Sequence, residues 1–552
     1  MIMMTACGGY GSAPPPVQAT PPPPARPQEQ FSDVTASSGI NYTNGLVNVL
    51  DPADLGLIAS SGVASGDFDD DDDIDVFIVR GDIGPNLLYR NSGNLFFEEV
   101  AASAGLAYTR SATENYRHSG PMFADIDGDG DLDLFLGGLG GDPSLIFENN
   151  GNSTFSDVTA GSGIDTLTAT DNISAAFGDY DLDGDLDLFV AHWGTQRDFL
   201  SPGDTQHLWR NDTDASGIKF QSVSESAGIS PTILTLPDGL ATQQLWDFTF
   251  APTFARINDD LYPDILSVAD FNYSQFFINN QDGTFSNATD TDVIIDGNGM
   301  GSAVADYDND GDLDWFVTSI ECHQDSDCNG GLLSKIGNRL YANQDGAFVD
   351  KTNEAGVASG GWGWGACFID FENDGDLDIY HTNGWPLTDD LNEFMLDVSR
   401  AFVADGLGRF EDKAEELGLA DTEQGRGVVC ADFDNDGDVD ILQLHRSAAG
   451  AATLWRNDND SNNFLSVKLN GAMPNTQAAG ARIKVTSGVT TQMREISIGS
   501  NFVSQNPTVQ TFGLGSATQA DVVTIQWPDG LISILTDVQA GQFITADHPD
   551  LL

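Results

Sequence analysis

The sequence predicts an all-β chain, a seven-bladed β-propeller followed by a small β-sandwich-like domain. Three observations lead there. A nine-residue acidic string, D-x-D-x-D-G-D-x-D, starts at Asp125, Asp179, Asp306 and Asp432, with near-copies at Asp67 and Asp370 and a decayed copy over residues 256–264. Consecutive copies start 58, 54, 77, 50, 64 and 62 residues apart, each inside a unit of four short strand-like runs, which is the spacing of propeller blades. Five places before each copy stands a small residue: Gly62, Gly120, Ser174, Ala251, Gly301, Gly365 or Gly427. Crowding of the innermost strands around an axis asks for such residues.

Within a unit, small and apolar residues lead into the string, as in Ser174-Ala-Ala-Phe-Gly. The second strand follows directly (LDLFLGG, LDLFVAH, LDWFVTS, LDIYHTN, VDILQLH). An aromatic third strand ends in Asn or Asp, as in NLLYRN, HLWRND, QFFINN and NRLYAN, and a Gly turn leads to a fourth such as TFSDVTAGSGI. Residues 31–40 read as a fourth strand with no string before them, whereas the seventh unit stops after TLWRND. The N-terminal strand is therefore expected to complete blade seven, and ring closure to remove exposed sheet edges. Past about residue 462 the pattern changes to alternating strands with Gly turns (NFLSVKLNG, GARIKVTSG, DVVTIQWPDG). The expected divisions are 1–30, a lipoprotein-signal remnant and Pro-rich linker; 31–460, the propeller; and 461–547, the β domain.

The string has the chemistry of a calcium loop. Alternating carboxylates converge only if the backbone curls tightly, and Gly at position 6 allows that. Position 7 offers its carbonyl and position 9 a last carboxylate. So many hard oxygen donors suit Ca²⁺ better than Zn²⁺ or Cu²⁺. The expected ligand positions are Asp67, Asp69, Asp71, Asp73 and Asp75 in blade one, and Asp125, Asp127, Asp129, Asp131 and Asp133 in blade two. Blade three contributes Asp179, Asp181, Asp183, Asp185 and Asp187; blade five Asp306, Asp308, Asp310, Asp312 and Asp314. Blade six contributes Asp370, Glu372, Asp374, Asp376 and Asp378, and blade seven Asp432, Asp434, Asp436, Asp438 and Asp440. Asp72 replaces the Gly of blade one, a residue that tolerates left-handed backbone. In blade four Arg256 takes position 1, and its guanidinium is expected to pair with Asp260 and Asp264 in place of an ion. About six structural ions follow. A catalytic ion would need open coordination positions, which the cage already fills.

The formal charge of −63 excludes nucleic acid as a partner, since nothing would neutralise phosphates. MIMMTAC before Gly8 resembles the end of a bacterial lipoprotein signal with Cys7 as the lipidated residue, and the proline-rich stretch after it reads as a stiff spacer. The expected location is extracytoplasmic: a bacterial cell surface, outer-membrane-anchored or secreted. Cys322 and Cys328, in a polar loop, are expected to form a disulfide, and Cys367 and Cys430 to be buried thiols.

The repeats resemble FG-GAP/VCBS repeats, which also build integrin α-chain propellers. The C-terminal stretch resembles the ASPIC/UnbV domain through Gly480-Ala-Arg, Arg494-Glu, Ser504-Gln-Asn, Phe512-Gly-Leu-Gly and Trp527-Pro-Asp-Gly. The order is similar to the cartilage acidic protein family, including its bacterial members. That resemblance implies a shared scaffold more than a shared activity.

No HExxH, GxSxG or phosphate loop occurs, and paired carboxylates mean little among 85 acidic residues. The expected function is a calcium-binding adhesion module, not an enzyme. Its protein or glycan ligand would sit on the face opposite the calcium loops, where the longest insertions fall (194–206, 230–251, 321–337 and 383–400). His192, Trp193, Trp246, His323, Trp362, Trp364, His381 and Trp385 enrich that face. They either meet a ligand or cap the core. The alternative is a Ca²⁺-dependent hydrolase of extracellular polysaccharide or phosphoester.

Overall fold

Alternating apolar residues between turn signals fold each repeat into a four-stranded antiparallel sheet. The computed structural model describes residues 30–47, 55–198, 203–234, 244–258, 260–321, 336–385, 392–446, 452–459, 461–499 and 501–552. Blade two is representative: His118–Ala124, Asp133–Gly138, Leu145–Asn149 and Phe155–Asp157 pair in sequence order. Among the described residues seven such four-stranded units form, two of them within one sheet, and their first strands touch in cyclic order, the last (Gly425–Ala431) returning to the first (Val63–Gly66). Blade seven takes its outer strand from the N-terminal side, with Phe31 opposite Asn457 and Asp33 opposite Trp455. Neighbouring blades bury their faces against each other. Phe77, Leu88 and Val79 of blade one, for example, pack with Phe123, Leu134 and Phe147 of blade two.

The small residues do meet a crowded axis. A Cβ on Gly365 would lie 2.5 Å from the carbonyl oxygen of Arg426, and one on Gly427 2.5 Å from that of Ser61. Arg426 belongs to the next blade's inner strand and Ser61 lies just before the next one, an approach that glycine leaves open.

Two features depart from expectation. Blades three and four merge into one eight-stranded sheet, because Asp187–Asp198 and Gln244–Ala255 each run to 12 residues and pair beyond the ring, Thr195 opposite Asp247 and Arg197 opposite Leu245. Cys367 and Cys430 are not thiols. They form a disulfide between the first strands of blades six and seven, with Cα atoms 6.6 Å apart, inside the usual range for a bridge. Cys367 stands three residues before its acidic string and Cys430 two before the next, so adjacent inner strands bring them together across 63 residues of sequence. Cys7, Cys322, Cys328 and His323 lie outside the described residues.

After blade seven the chain forms two further sheets. Asn463–Asn470 pairs with Gln510–Gly515 and, in parallel, with Gln542–Asp547. Arg482–Ser487 pairs with Thr490–Glu495 and Gln519–Gln526, and the latter with Ile532–Gln539. Leu465, Val467, Ile483, Val485, Phe512, Val523 and Trp527 form a separate core between them. Among the described residues no helix is long and apolar enough to cross a membrane.

Candidate metal loops and the plugged channel

The acidic loops share one plan, complete in blades one, two, six and seven, while in blades three and five only the position-6 Gly bonds position 1. Position 1 accepts backbone N–H groups from positions 5 and 6, as Asp125 does from Asp129 (3.1 Å) and Gly130 (3.0 Å). Position 5 in turn caps position 7, as Asp129 does Asp131. This needs left-handed backbone twice. Position 6 supplies it as Gly130, Gly184, Gly311, Gly375 and Gly437, and in blade one as Asp72 at φ 67°. Asp72 N donates to Asp67 at 3.0 Å as the glycines do, so the loop keeps its shape. Position 4 is left-handed as well, in Asp70, Leu182, Asn309, Asn373 and Asn435, a requirement not read from the sequence.

The loops bring carboxylates together. Ligand atoms of Asp125, Asp127 and Asp133 lie within 4.8 Å of one another, as do those of Asp179, Asp181 and Asp187, of Asp306, Asp308 and Asp314, and of Asp370, Glu372 and Asp378. In blade one the group is Asp67, Asp69 and Asp71. The carboxylates at positions 5 and 7 of blade two stand further out, Asp129 exposed and Asp131 half-buried. Burial pushes the inner carboxyls up from an ordinary value of 3.8: Asp179, Asp306, Asp370 and Asp432 to about 7, Asp125 and Asp127 to about 6. Repulsion from neighbouring carboxylates adds to burial. One oxygen on each of Asp69, Asp179, Asp181, Asp306 and Asp434 is buried with no hydrogen-bond partner. Converging, unpartnered hard oxygens fit a divalent cation, which supplies the missing positive charge.

Position 9 has a second task. Oδ2 of Asp187 accepts from Tyr180 N and Oδ1 from Asn211 N, tying the loop to the third strand, and the pattern repeats in each of the seven blades. The Asn that ends the third strand then reaches across to the preceding blade. Nδ2 of Asn211 donates to Ile126 O (2.8 Å), Asn279 to Tyr180 O (2.8 Å), Asn343 to Ile257 O (2.7 Å) and Asn91 to Phe433 O (2.8 Å). In blade six Ala404 takes the place and the bond is missing. This latch explains the recurrent Asn of NLLYRN and HLWRND. Replacing Asn211 with Ala strands a buried carbonyl, and denaturant unfolding should show a loss of about 1–3 kcal/mol. A loss below about 0.5 kcal/mol, typical of a surface site, would show the latch to be idle.

Blade four differs as the sequence suggested, but in another geometry. Arg256 is fully buried and does not pair with the carboxylates of Asp260 and Asp264. Its Nε donates to Asp260 O (2.8 Å), Nη1 to Gly480 O (3.3 Å) and Nη2 to Gln526 Oε1 (3.2 Å). Asp264 is taken up by Ile257 N and Asn279 N. The guanidinium serves as a joint to the C-terminal domain.

That domain lies over the acidic loops. Lys468 meets Asp67 and Asp72 of blade one, and Thr476 and Gln477 bond Asp125 of blade two. Asn462 donates to Glu372 O of blade six, and the Phe464 ring sits against Gly437 of blade seven. From this cover the segment between Ile498 and Asn506 enters the channel. Ser504–Gln505 adds a parallel strand to blade one, Val63 opposite Ser504. Gln505 bonds both backbone groups of Phe123 at 2.7 Å in blade two. Phe177 N of blade three donates to Ile498 O, Ala366 N of blade six to Asn501 Oδ1, and Cys430 N of blade seven to Asn506 Oδ1. Ring closure therefore does not dispose of sheet edges as expected. Each blade keeps an inner edge on the channel, and this plug bonds those of blades one, two, three, six and seven.

The aromatic residues of the opposite rim mostly stopper the channel. Trp362 and Trp364 are buried with Phe250, Phe394 and Phe502, and Trp385 stacks on Trp362 at 4.3 Å. His192 and His381 are buried too. Trp193, Trp246 and Trp385 are half-buried and reach the surface.

Known proteins bear on this architecture. The FG-GAP-like repeat family matches residues 67–136, 125–190 and 256–317, and the ASPIC and UnbV family matches residues 471–551. Cartilage acidic protein 1 of Mus musculus is 24% identical over 85% of this chain and 70% of its own length; that of Homo sapiens is 25% identical over 85% and 69%. Among solved structures, the V. cholerae biofilm matrix protein Bap1 is 10% identical with a TM-score of 0.36, covering 73% of this chain and 88% of that one, too distant to inform function. The chain is a propeller of FG-GAP-like repeats with a C-terminal ASPIC and UnbV domain, similar to cartilage acidic protein 1 over most of its length.

Proposed function

We propose that this chain is an extracytoplasmic calcium-loaded binding module that docks a protein or glycan on the rim opposite its acidic loops. One observation carries the reading: the C-terminal domain covers the loop face and fills the channel, which leaves the other rim as the broad face for a partner. That rim carries the extended pair formed by Asp187–Asp198 and Gln244–Ala255, with Trp193 and Trp246 half-buried upon it. Elaborated loops on a rigid scaffold are where binding residues gather. The disulfide between Cys367 and Cys430 suits an oxidising compartment. Blades one, two, three, five, six and seven each hold one Ca²⁺ that supports this scaffold, and blade four holds none.

The test is calcium-dependent retention on glycan and extracellular-protein arrays, with Trp246→Ala beside the native protein. Retention should fall about tenfold in the variant, roughly 1.4 kcal/mol, with melting unchanged. Equal retention by the variant would refute the rim assignment, and turnover of the retained glycan would favour a hydrolase.

A further inference from the structure

Arg426 is the second residue of blade seven's first strand and stands at the channel mouth opposite the acidic loops. Its side chain is 0% exposed. The guanidinium lies 4.2 Å from the centre of the Trp364 ring, and Nη1 donates to the carbonyls of Gly384 (3.0 Å) and Gly425 (2.5 Å). Nε and Nη2 have no partner. These two nitrogens form the side-on edge of the guanidinium, the fork that matches the two oxygens of a carboxylate.

A buried charge is normally paired, and arginine cannot shed its proton to escape the cost. Among the described residues Arg426 has no ion pair, and the charged group that acts on it is another cation, Arg446. Burial and Arg446 together push the guanidinium well below its ordinary value. Buried donors in the same region also go unused: the indole N–H groups of Trp362 and Trp385, and Gln443 Nε2 beside Gly425. Unused donors gathered around an unpaired buried cation call for an acceptor.

We propose that the channel mouth is an anion site, in which the side-on edge of Arg426 holds a small carboxylate-shaped monoanion such as formate, acetate or bicarbonate. The Trp364 ring fixes the plane of the guanidinium, and the plug seals the site from below, since Trp364 packs on Phe502 at 5.0 Å. The site is separate from the acidic loops and independent of any partner on the rim.

Thermal melting of the full chain in saturating calcium, with formate titrated against chloride at constant ionic strength, tests this. Formate should raise the midpoint saturably by about 2–4 °C at high occupancy, and chloride by clearly less. Arg426→Lys keeps a charge without the fork, and Arg426→Met removes both; each should lose the formate response. No saturable response in the native protein, or an equal response to chloride, would overturn the proposal. If both variants fail to fold, that comparison of formate with chloride in the native protein decides alone. A formate response surviving in either folded variant would also overturn it.

Discussion

Removing calcium should lower the melting midpoint on the order of 10 °C or more. Each site held at about a hundredfold over its Kd contributes roughly 2.7 kcal/mol, and several act together. The effect should depend on pH, with a sign set by the loop carboxyls. In the ion-free fold Asp179 and Asp432 are pushed up to about 7 and Asp125 to about 6, against an ordinary 3.8. The folded state therefore binds more protons than the unfolded chain between those limits, so ion-free stability falls as pH rises from about 4 to about 7. Calcium replaces those protons. The gap between calcium-loaded and chelated midpoints should widen from pH 5.5 to pH 7.5. A gap that is constant, or that narrows, would contradict the charge account of the loops.

The plug makes the second large prediction. Phe502 is 0% exposed and packs against Phe250 and Trp364, so Phe502→Ala should cost about 3–5 kcal/mol. Gln505→Ala should cost about 1–3 kcal/mol for each backbone group of Phe123 it leaves unpaired. Both substitutions lie in the C-terminal domain, yet hydrogen exchange should rise at the first strands of blades one and two. If protection there were unchanged, the plug would be packing alone and would not hold the ring.

The repeat, its four strands and the completion of blade seven follow from period and spacing, which are local properties of the chain. The Gly at position 6 and the small residue five places before each string could be assigned for the same reason: each answers a backbone constraint within one repeat. What the sequence withheld depends on contacts between repeats. The Asn latch was visible as a recurrent letter, but its partner lies in the preceding blade. The bridge between Cys367 and Cys430 joins residues of two repeats, so it went unread. Arg256 was expected to pair with Asp260 and Asp264, but two of its acceptors, Gly480 and Gln526, belong to a domain more than 200 residues away. The Ser504-Gln-Asn run stood out as a motif, though nothing local says that it enters the channel. The Trp residues could not be divided between rim and stopper, because that depends on Phe502 filling the centre.

Calcium counted per chain, by mass spectrometry of gel-filtered protein, tests the central claim most directly. The account predicts six ions in the native protein and five after Asp179→Asn with Asp181→Asn, because blade four already lacks its ion and blade three then loses one. Fewer than three ions, or a count that the blade-three substitutions leave unchanged, would contradict it.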